Sequence, residues 1–121
     1  MLDIIFFTQH KEESEIVEVP DEFYQWLARS EFARIGDSEE REMKIDGEFV
    51  MLPVISLEGT HRRKLSDFFR DAIVQESEAI LESLSNIPSK TDYQQIIYRL
   101  ALLQKLRKVV EDEQYKYLQK F

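Results

Sequence analysis

Apolar positions follow strand-like patterns in the first half of the chain and helical spacing in the second. Leu2 to Thr8 is rich in Ile and Phe on both faces, which predicts a strand in the middle of a sheet. A polar turn at 9–14 separates it from a second predicted strand, Glu15 to Val19, which Pro20 stops. Asp21 is predicted to cap a short helix that carries Phe23, Trp26 and Leu27 on one face.

A β-hairpin is predicted around Asp46-Gly47. This dipeptide lies between two strand-like runs, Arg41–Ile45 and Glu48–Leu57, and suits a two-residue type I′ turn. Pro53 cannot donate a ladder hydrogen bond, so the second strand is an edge there, is bulged, or ends. Residues 30–36 fit either a strand or a loop, and 36–42 are predicted to form an acidic loop.

Two long helices are predicted after Gly59. The first runs from Lys64 to Leu84, and its apolar stripe is interrupted at Glu76; the stripe comprises Leu65, Phe68, Phe69, Ala72, Ile73, Ile80 and Leu84. Pro88 follows its end, and Ser89 to Asp92 fits a capping box for the second helix. That helix is predicted from Asp92 towards Lys120, with an apolar side formed by Ile96, Leu100, Leu103, Leu106 and Val110 and widened by Ile97, Ala101 and Val109. The short connection predicts an antiparallel helical hairpin.

These elements predict one α+β domain over residues 1–121. A small N-terminal antiparallel or mixed sheet with a short helix would pack on a C-terminal antiparallel two-helix hairpin. The length of 121 residues suits a single core, and neither 1–59 nor 60–121 would easily bury its apolar face alone. The charge is divided unevenly: 1–59 carries a net charge of −10, whereas 60–121 carries +2.

The composition narrows the environment in which the protein is expected. It contains no cysteine, which excludes a disulfide scaffold, a thiol nucleophile and a thiolate zinc site. Its first residues lack the basic start and long apolar run of a secretory signal, and no stretch approaches the roughly 20 apolar residues of a membrane span. We therefore expect a cytoplasmic protein with no membrane partner.

A short basic run, His61, Arg62, Arg63 and Lys64, stands at the predicted start of a helix in an acidic protein. Cations there oppose the helix macrodipole, so one hypothesis is that they bind an anion together with free backbone N–H groups. The alternative is that they pair with the protein's own acidic groups. Nucleic-acid binding as the main role is disfavoured, because the N-terminal half would repel phosphate.

The sequence offers no catalytic or cofactor motif. It has no nucleophile elbow, phosphate-binding glycine loop, dinucleotide fingerprint, paired-histidine zinc motif or EF-hand. We therefore predict no cofactor, no metal and no enzymatic activity. A remaining enzyme hypothesis would place an unrecognised site around Thr60, His61 and Arg62.

Acidic and aromatic residues of the first half are the candidates for partner contact. Aromatic side chains dominate binding hot spots, and an acidic rim favours a basic partner. The predicted contact residues are Asp21, Glu22, Tyr24, Trp26, Asp37, Glu39, Glu40 and Glu42. The leading hypothesis is a small protein-binding module, in its most specific form an inhibitor similar in character to immunity proteins or antitoxins. The alternative is an assembly subunit that self-associates through its helical hairpin, which Leu102 suggests because it departs from the main stripe.

Overall fold

Five antiparallel strands form one sheet in the order β2-β1-β5-β4-β3. The computed structural model describes residues 2–8, 14–45, 47–83 and 90–119. The strands are β1 (Leu2–Thr8), β2 (Ser14–Val19), β3 (Glu39–Ile45), β4 (Glu48–Ser56) and β5 (Tyr115–Gln119). The predicted α+β class is confirmed, and β1 lies inside the sheet as expected.

The hairpin predicted at residues 46–47 is confirmed. Ile45 of β3 pairs with Glu48 of β4, which leaves a two-residue connection. Gly47 has φ +83°, the conformation for which glycine was expected there. Asp46 lies outside the described residues, so the turn type stays a prediction. The strand does not end at Pro53: β4 continues to Ser56, and Pro53 pairs with β3 opposite Glu40.

The C-terminal strand β5 was not predicted, and the expected helix towards Lys120 is wrong beyond Glu111. β5 lies between the two hairpins, where Leu118 pairs with both Phe6 of β1 and Ile55 of β4. The residues beyond Gly59 therefore supply a strand of the sheet as well as the helical hairpin.

Three helices cover one face of the sheet: α1 (Asp21–Arg29), α2 (His61–Ser83) and α3 (Lys90–Glu111). Asp21 is the first residue of α1 and not its cap, because Pro20 occupies the N-cap position. The ambiguous segment after α1 contains a 3₁₀ turn, Glu31–Arg34. Leu84, Ser89 and the side chains of residues 90–92 lie outside the described part of the chain, so the predicted capping box stays a prediction. None of the helices in that part is long and apolar enough to cross a membrane.

The main core lies between the sheet and the helices. Its fully or nearly fully buried members include Ile4, Phe6, Val17, Val19, Phe23, Leu27, Leu65, Phe69, Leu103, Leu106, Val110 and Leu118. Leu102 belongs to this core and is only 7% exposed, so it does not provide the self-association surface for which it was singled out. Glu76, the polar residue that interrupts the apolar stripe of α2, faces α3, where its carboxylate accepts a hydrogen bond from Arg99 at 2.7 Å. Ile97 and Ala101, expected to widen the α3 stripe, are exposed.

A smaller apolar cluster covers the other face of the sheet. Phe7, Met43 and Val54 are buried there, with Ile5, Leu52 and Tyr117 packed around them. The guanidinium of Arg41 lies 5.2 Å from the centre of the Tyr117 ring.

Candidate functional site

The outer part of the β3–β4 hairpin presents large apolar side chains to solvent. Phe49 is 67% exposed and Met51 is 56% exposed. Met51 pairs with Glu42, and Pro53 pairs with Glu40. Because directly paired residues of antiparallel strands project from the same face, apolar and acidic side chains lie side by side here. We call Glu40, Glu42, Phe49, Met51 and Pro53 the hairpin surface.

The hairpin surface continues the helix-facing row of β4 beyond the core. Ile55 belongs to the same row, pairs with Leu118 and is only 1% exposed. Two residues earlier in this row, Pro53 is already exposed, and the row remains exposed back to Phe49. Since β3 is an edge strand, the hairpin surface is open both at its face and along one side.

The acidic residues predicted to bind a partner fall into two groups at opposite edges of the sheet. One group directly follows the edge strand β2, in the first turn of α1, and comprises Asp21 and Glu22. The other lies on the edge strand β3 and in the loop before it, and comprises Asp37, Glu39, Glu40 and Glu42. All six side chains are exposed. The hairpin surface contains only Glu40 and Glu42, because Glu39 projects from the other face and pairs with Arg41 at 3.2 Å.

Tyr24 and Trp26, the predicted aromatic contacts, are half-buried and pack against the main core. The Trp26 ring lies 5.8 Å from that of Phe68, and the guanidinium of Arg99 lies 4.5 Å from the Trp26 ring centre. Cation–π and ring contacts of this kind fix the indole in place. Trp26 therefore has a structural role in joining α1 to the helical hairpin.

Arg62, in the basic run, connects the start of α2 to the end of α3. Its guanidinium donates hydrogen bonds to the carbonyl oxygens of Val110 at 2.8 Å, Asp112 at 3.0 Å and Tyr115 at 2.7 Å. The last carbonyl groups of a helix lack intrahelical partners, and a cation at this end also suits the helix macrodipole. This provides a reason for a cation in the first turn of α2 that requires no bound anion.

The other members of the basic run have different surroundings. His61 Nδ1 donates to the carbonyl oxygen of Ser56 at 2.9 Å. The ring borders Gly36, where an added Cβ would lie 3.4 Å from two ring atoms of His61 and 2.7 Å from Ile55 Cγ2. Arg63 and Lys64 are exposed. Arg63 faces a surface depression of mixed charge that also contains Glu111, Glu113 and Lys116.

Glu111 is the centre of a charged cluster at the end of α3. Its carboxylate accepts hydrogen bonds from Arg70 at 2.7 Å, from Ser66 at 3.1 Å and from Arg107 at 3.2 Å. The hydrogen bond from Arg70 is the largest cause of a pKa below the ordinary value for Glu111, and Ser66 and Arg107 act in the same direction against the effect of burial. The cluster stabilises the contact between α2 and α3.

Across 2–8, 14–45, 47–83 and 90–119, no three His, Asp or Glu side chains converge so that they could hold a metal ion. Thr60 is exposed, and His61 and Arg62 are engaged with backbone carbonyl groups as described above. The depression beside Arg62 also contains Ser66 and Glu111, whose side chains are hydrogen-bonded to each other.

Phe49 and Met51, the apolar residues of the hairpin surface, were not among the contact residues predicted from the sequence. Residues 49–55 are apolar at both alternating positions except for Pro53, which is more than a hairpin bordering an edge strand can bury. This excess of apolar positions is the pattern that could have identified an exposed row. Comparison of the chain with protein-family models, curated proteins and solved structures finds no match.

Proposed function

We propose that the protein is an acidic protein-binding module that recognises a basic protein through its hairpin surface. The observation that supports this most directly is the 56% exposure of Met51 directly opposite the acidic residue Glu42. Phe49, the next residue in this row, is 67% exposed and pairs with Lys44. Exposed apolar groups rimmed by charge are typical of interaction sites on proteins.

The apolar part of the hairpin surface supplies binding energy. Phenylalanine and methionine are enriched in interfaces, and full burial of such a side chain stabilises a complex by about 1.5–3 kcal/mol. Phe49 and Met51 lie on a strand paired along its length with β3, so their backbone is already ordered before binding. An ordered anchor loses little conformational entropy on association.

The acidic part of the hairpin surface selects the partner and speeds the encounter. Residues 1–59 carry a net charge of −10, so a basic protein is attracted at long range. Charge complementarity raises association rates more than affinity, and salt screens it. In its most specific form the proposal is an inhibitor of immunity-protein or antitoxin type, which covers a basic surface on a target enzyme.

The test uses a photo-crosslinking amino acid at position 49 and, as a control, at position 81. Leu81 on α2 is 68% exposed, which matches Phe49. In cells of the source organism, we expect position 49 to capture a basic protein that position 81 does not capture. Capture of the same proteins at both positions, or of none at position 49, would overturn the proposal.

Charge variants then test the same complex with purified proteins. Glu40→Lys with Glu42→Lys should slow association about tenfold or more at low salt and reduce its salt dependence. Glu78→Lys with Glu82→Lys makes the same charge change at exposed positions on α2 and should have a smaller effect. Equal effects of the two pairs would show that only net charge matters and would contradict a role for the hairpin surface.

Self-association through the helical hairpin is the second candidate function. Leu102 no longer supports it, but Val74, Leu81 and Ile97 on α2 and α3 are 54%, 68% and 40% exposed. Sedimentation velocity over a wide concentration range is the test. A dimer that Leu81→Glu dissociates would support self-association, and a monomer at all concentrations would exclude it.

A further inference from the structure

A groove runs along the outer edge of β2, the edge of the sheet that lies opposite the hairpin surface. One part, of about 500 Å³, lies between Ile16–Glu18 and Tyr98, Leu102 and Lys105 of α3. A second part, of about 590 Å³, lies beside Glu22 and Phe23 and is also lined by Tyr98 and Leu102. Tyr98 and Leu102 border both parts, and we call the two parts together the edge groove.

The edge groove lies beside a strand that has a partner on one side only. β2 pairs with β1, and no strand pairs with its other side in the part of the sheet that the structure describes. An edge strand presents backbone N–H and C=O groups that a further strand can pair with. β2 contains six residues, which is enough for an extended segment of about 20 Å to align with it.

The two faces of β2 differ in the side chains that an added strand would meet. Val17 points to the helices and is 1% exposed, and Leu102 and Tyr98 line the groove with it. Glu15 lies on the same face at the start of β2, where it pairs with Lys105 at 3.7 Å. Ile16 and Glu18 project from the other face, where Glu18 pairs with Asp3 of β1. Both acidic side chains are exposed, so this face attracts positive charge.

We propose that the edge groove binds an extended segment of a basic protein by strand addition to β2. Side chains on one face of that segment are apolar and enter the groove against Val17 and Leu102. The other face carries Lys or Arg opposite Glu18, because opposite charges stabilise a cross-strand pair. At the end of the groove Arg99 is neutralised by its ion pair with Glu76, so Glu22 adds a further negative charge there.

Charge also decides against a second copy of this chain as the occupant. Pairing of two β2 strands would bring the Glu15 side chains of both copies to one face of the seam and their Glu18 side chains to the other face. Like charges across neighbouring strands are destabilising. Lys105 lies 3.7 Å from Glu15 and balances only one of these carboxylates in each copy.

The test uses a synthetic seven-residue peptide of alternating Lys and Val, with a peptide of the same composition in scrambled order as control. Amide hydrogen exchange measured by NMR should show that the alternating peptide protects backbone amides of β2. A scrambled peptide that protects them equally would reduce the effect to general electrostatics and overturn the proposal. Protection confined to β3 would overturn it as well.

Groove variants provide the second measurement. Ala101→Trp places a large side chain at an exposed position of the groove wall and should weaken binding of the peptide about tenfold or more. Ala28→Trp makes the same change at an exposed position on α1 outside the groove lining and should leave binding unchanged. Equal affinities for both variants would contradict the assignment, and a dimer dissociated by Ala101→Trp would assign the groove to a second copy.

Binding of the peptide to the edge groove should not depend on the hairpin surface. A protein carrying Glu40→Lys and Glu42→Lys should still show peptide-induced protection of β2. Loss of that protection would mean that the peptide reports on the hairpin surface and would overturn the proposal for the edge groove.

Discussion

Replacement of Arg62 by alanine should destabilise the fold although the residue lies in a surface run of cations. The guanidinium donates to three carbonyl groups around the junction of α3 and β5. Two of these contacts, to Val110 and Tyr115, are partly buried, so water replaces them incompletely in the variant. The third, to Asp112, is exposed and should contribute little.

The magnitude follows from the two partly buried contacts. Hydrogen bonds to charged groups contribute about 1.5–3 kcal/mol each. The macrodipole effects roughly cancel, because removing the cation returns about 0.3–1 kcal/mol at the start of α2 and loses a similar amount at the end of α3. Since both contacts are only partly buried, the lower end of the hydrogen-bond range applies. We expect a net loss of about 3 kcal/mol in the free energy of unfolding, which for a domain of this size lowers Tm by about 12 °C.

Urea denaturation followed by circular dichroism measures this loss. Arg63→Ala is the matched control, since it removes an exposed cation from the same helical turn and should be neutral or slightly stabilising. Arg62→Lys should be intermediate, because one ammonium group cannot reach three carbonyls together. Free energies of unfolding of Arg62→Ala and Arg63→Ala within about 0.5 kcal/mol of each other would refute this role of Arg62.

Two further predictions concern acid stability and backbone geometry. Arg70 holds the pKa of Glu111 below its ordinary 4.5, so the stability from this carboxylate is complete above about pH 4.5 and is lost as the pH falls through the folded-state pKa. Glu111→Gln should therefore flatten the acid side of a stability–pH curve, and parallel curves for variant and wild type would contradict this. Gly36 and Gly47 both have positive φ, but only at Gly36 would an added Cβ lie 2.7 Å from Ile55 Cγ2. Gly36→Ala should cost about 2 kcal/mol more than Gly47→Ala in urea denaturation, and equal midpoints would contradict the close contact.

The features that the sequence predicted correctly are local. The β3–β4 hairpin depends on a glycine that takes a positive φ and on two adjoining apolar runs, all within about 20 residues. The buried positions of α2 follow from spacing along one helix, and Leu65, Phe69 and Ala72 are buried as the stripe predicts. Such patterns need no knowledge of the rest of the chain.

The end of α3 could not be predicted because distant residues determine it. No glycine or proline marks Asp112 to Gln114, and the carbonyl groups there bind Arg62, 50 residues away for Asp112. The following strand pairs with β1 and β4, both far away in sequence. Of the hairpin surface, only Glu40 and Glu42 were predicted from the sequence as contact residues, because of their charge. Phe49 was not found, because its exposure depends on how far the neighbouring elements extend.

The position of β5 has a consequence for how the protein forms during translation. The two hairpins can each assemble from neighbouring sequence, but nothing joins β1 to β4 until residues 115–119 have left the ribosome. Until then each of these strands exposes an inner edge that could pair with another nascent chain. A chaperone that shields such edges would therefore be needed from the formation of each hairpin until β5 has paired with β1 and β4. A ribosome stalled before Tyr115 should hold two separate hairpins with no common sheet.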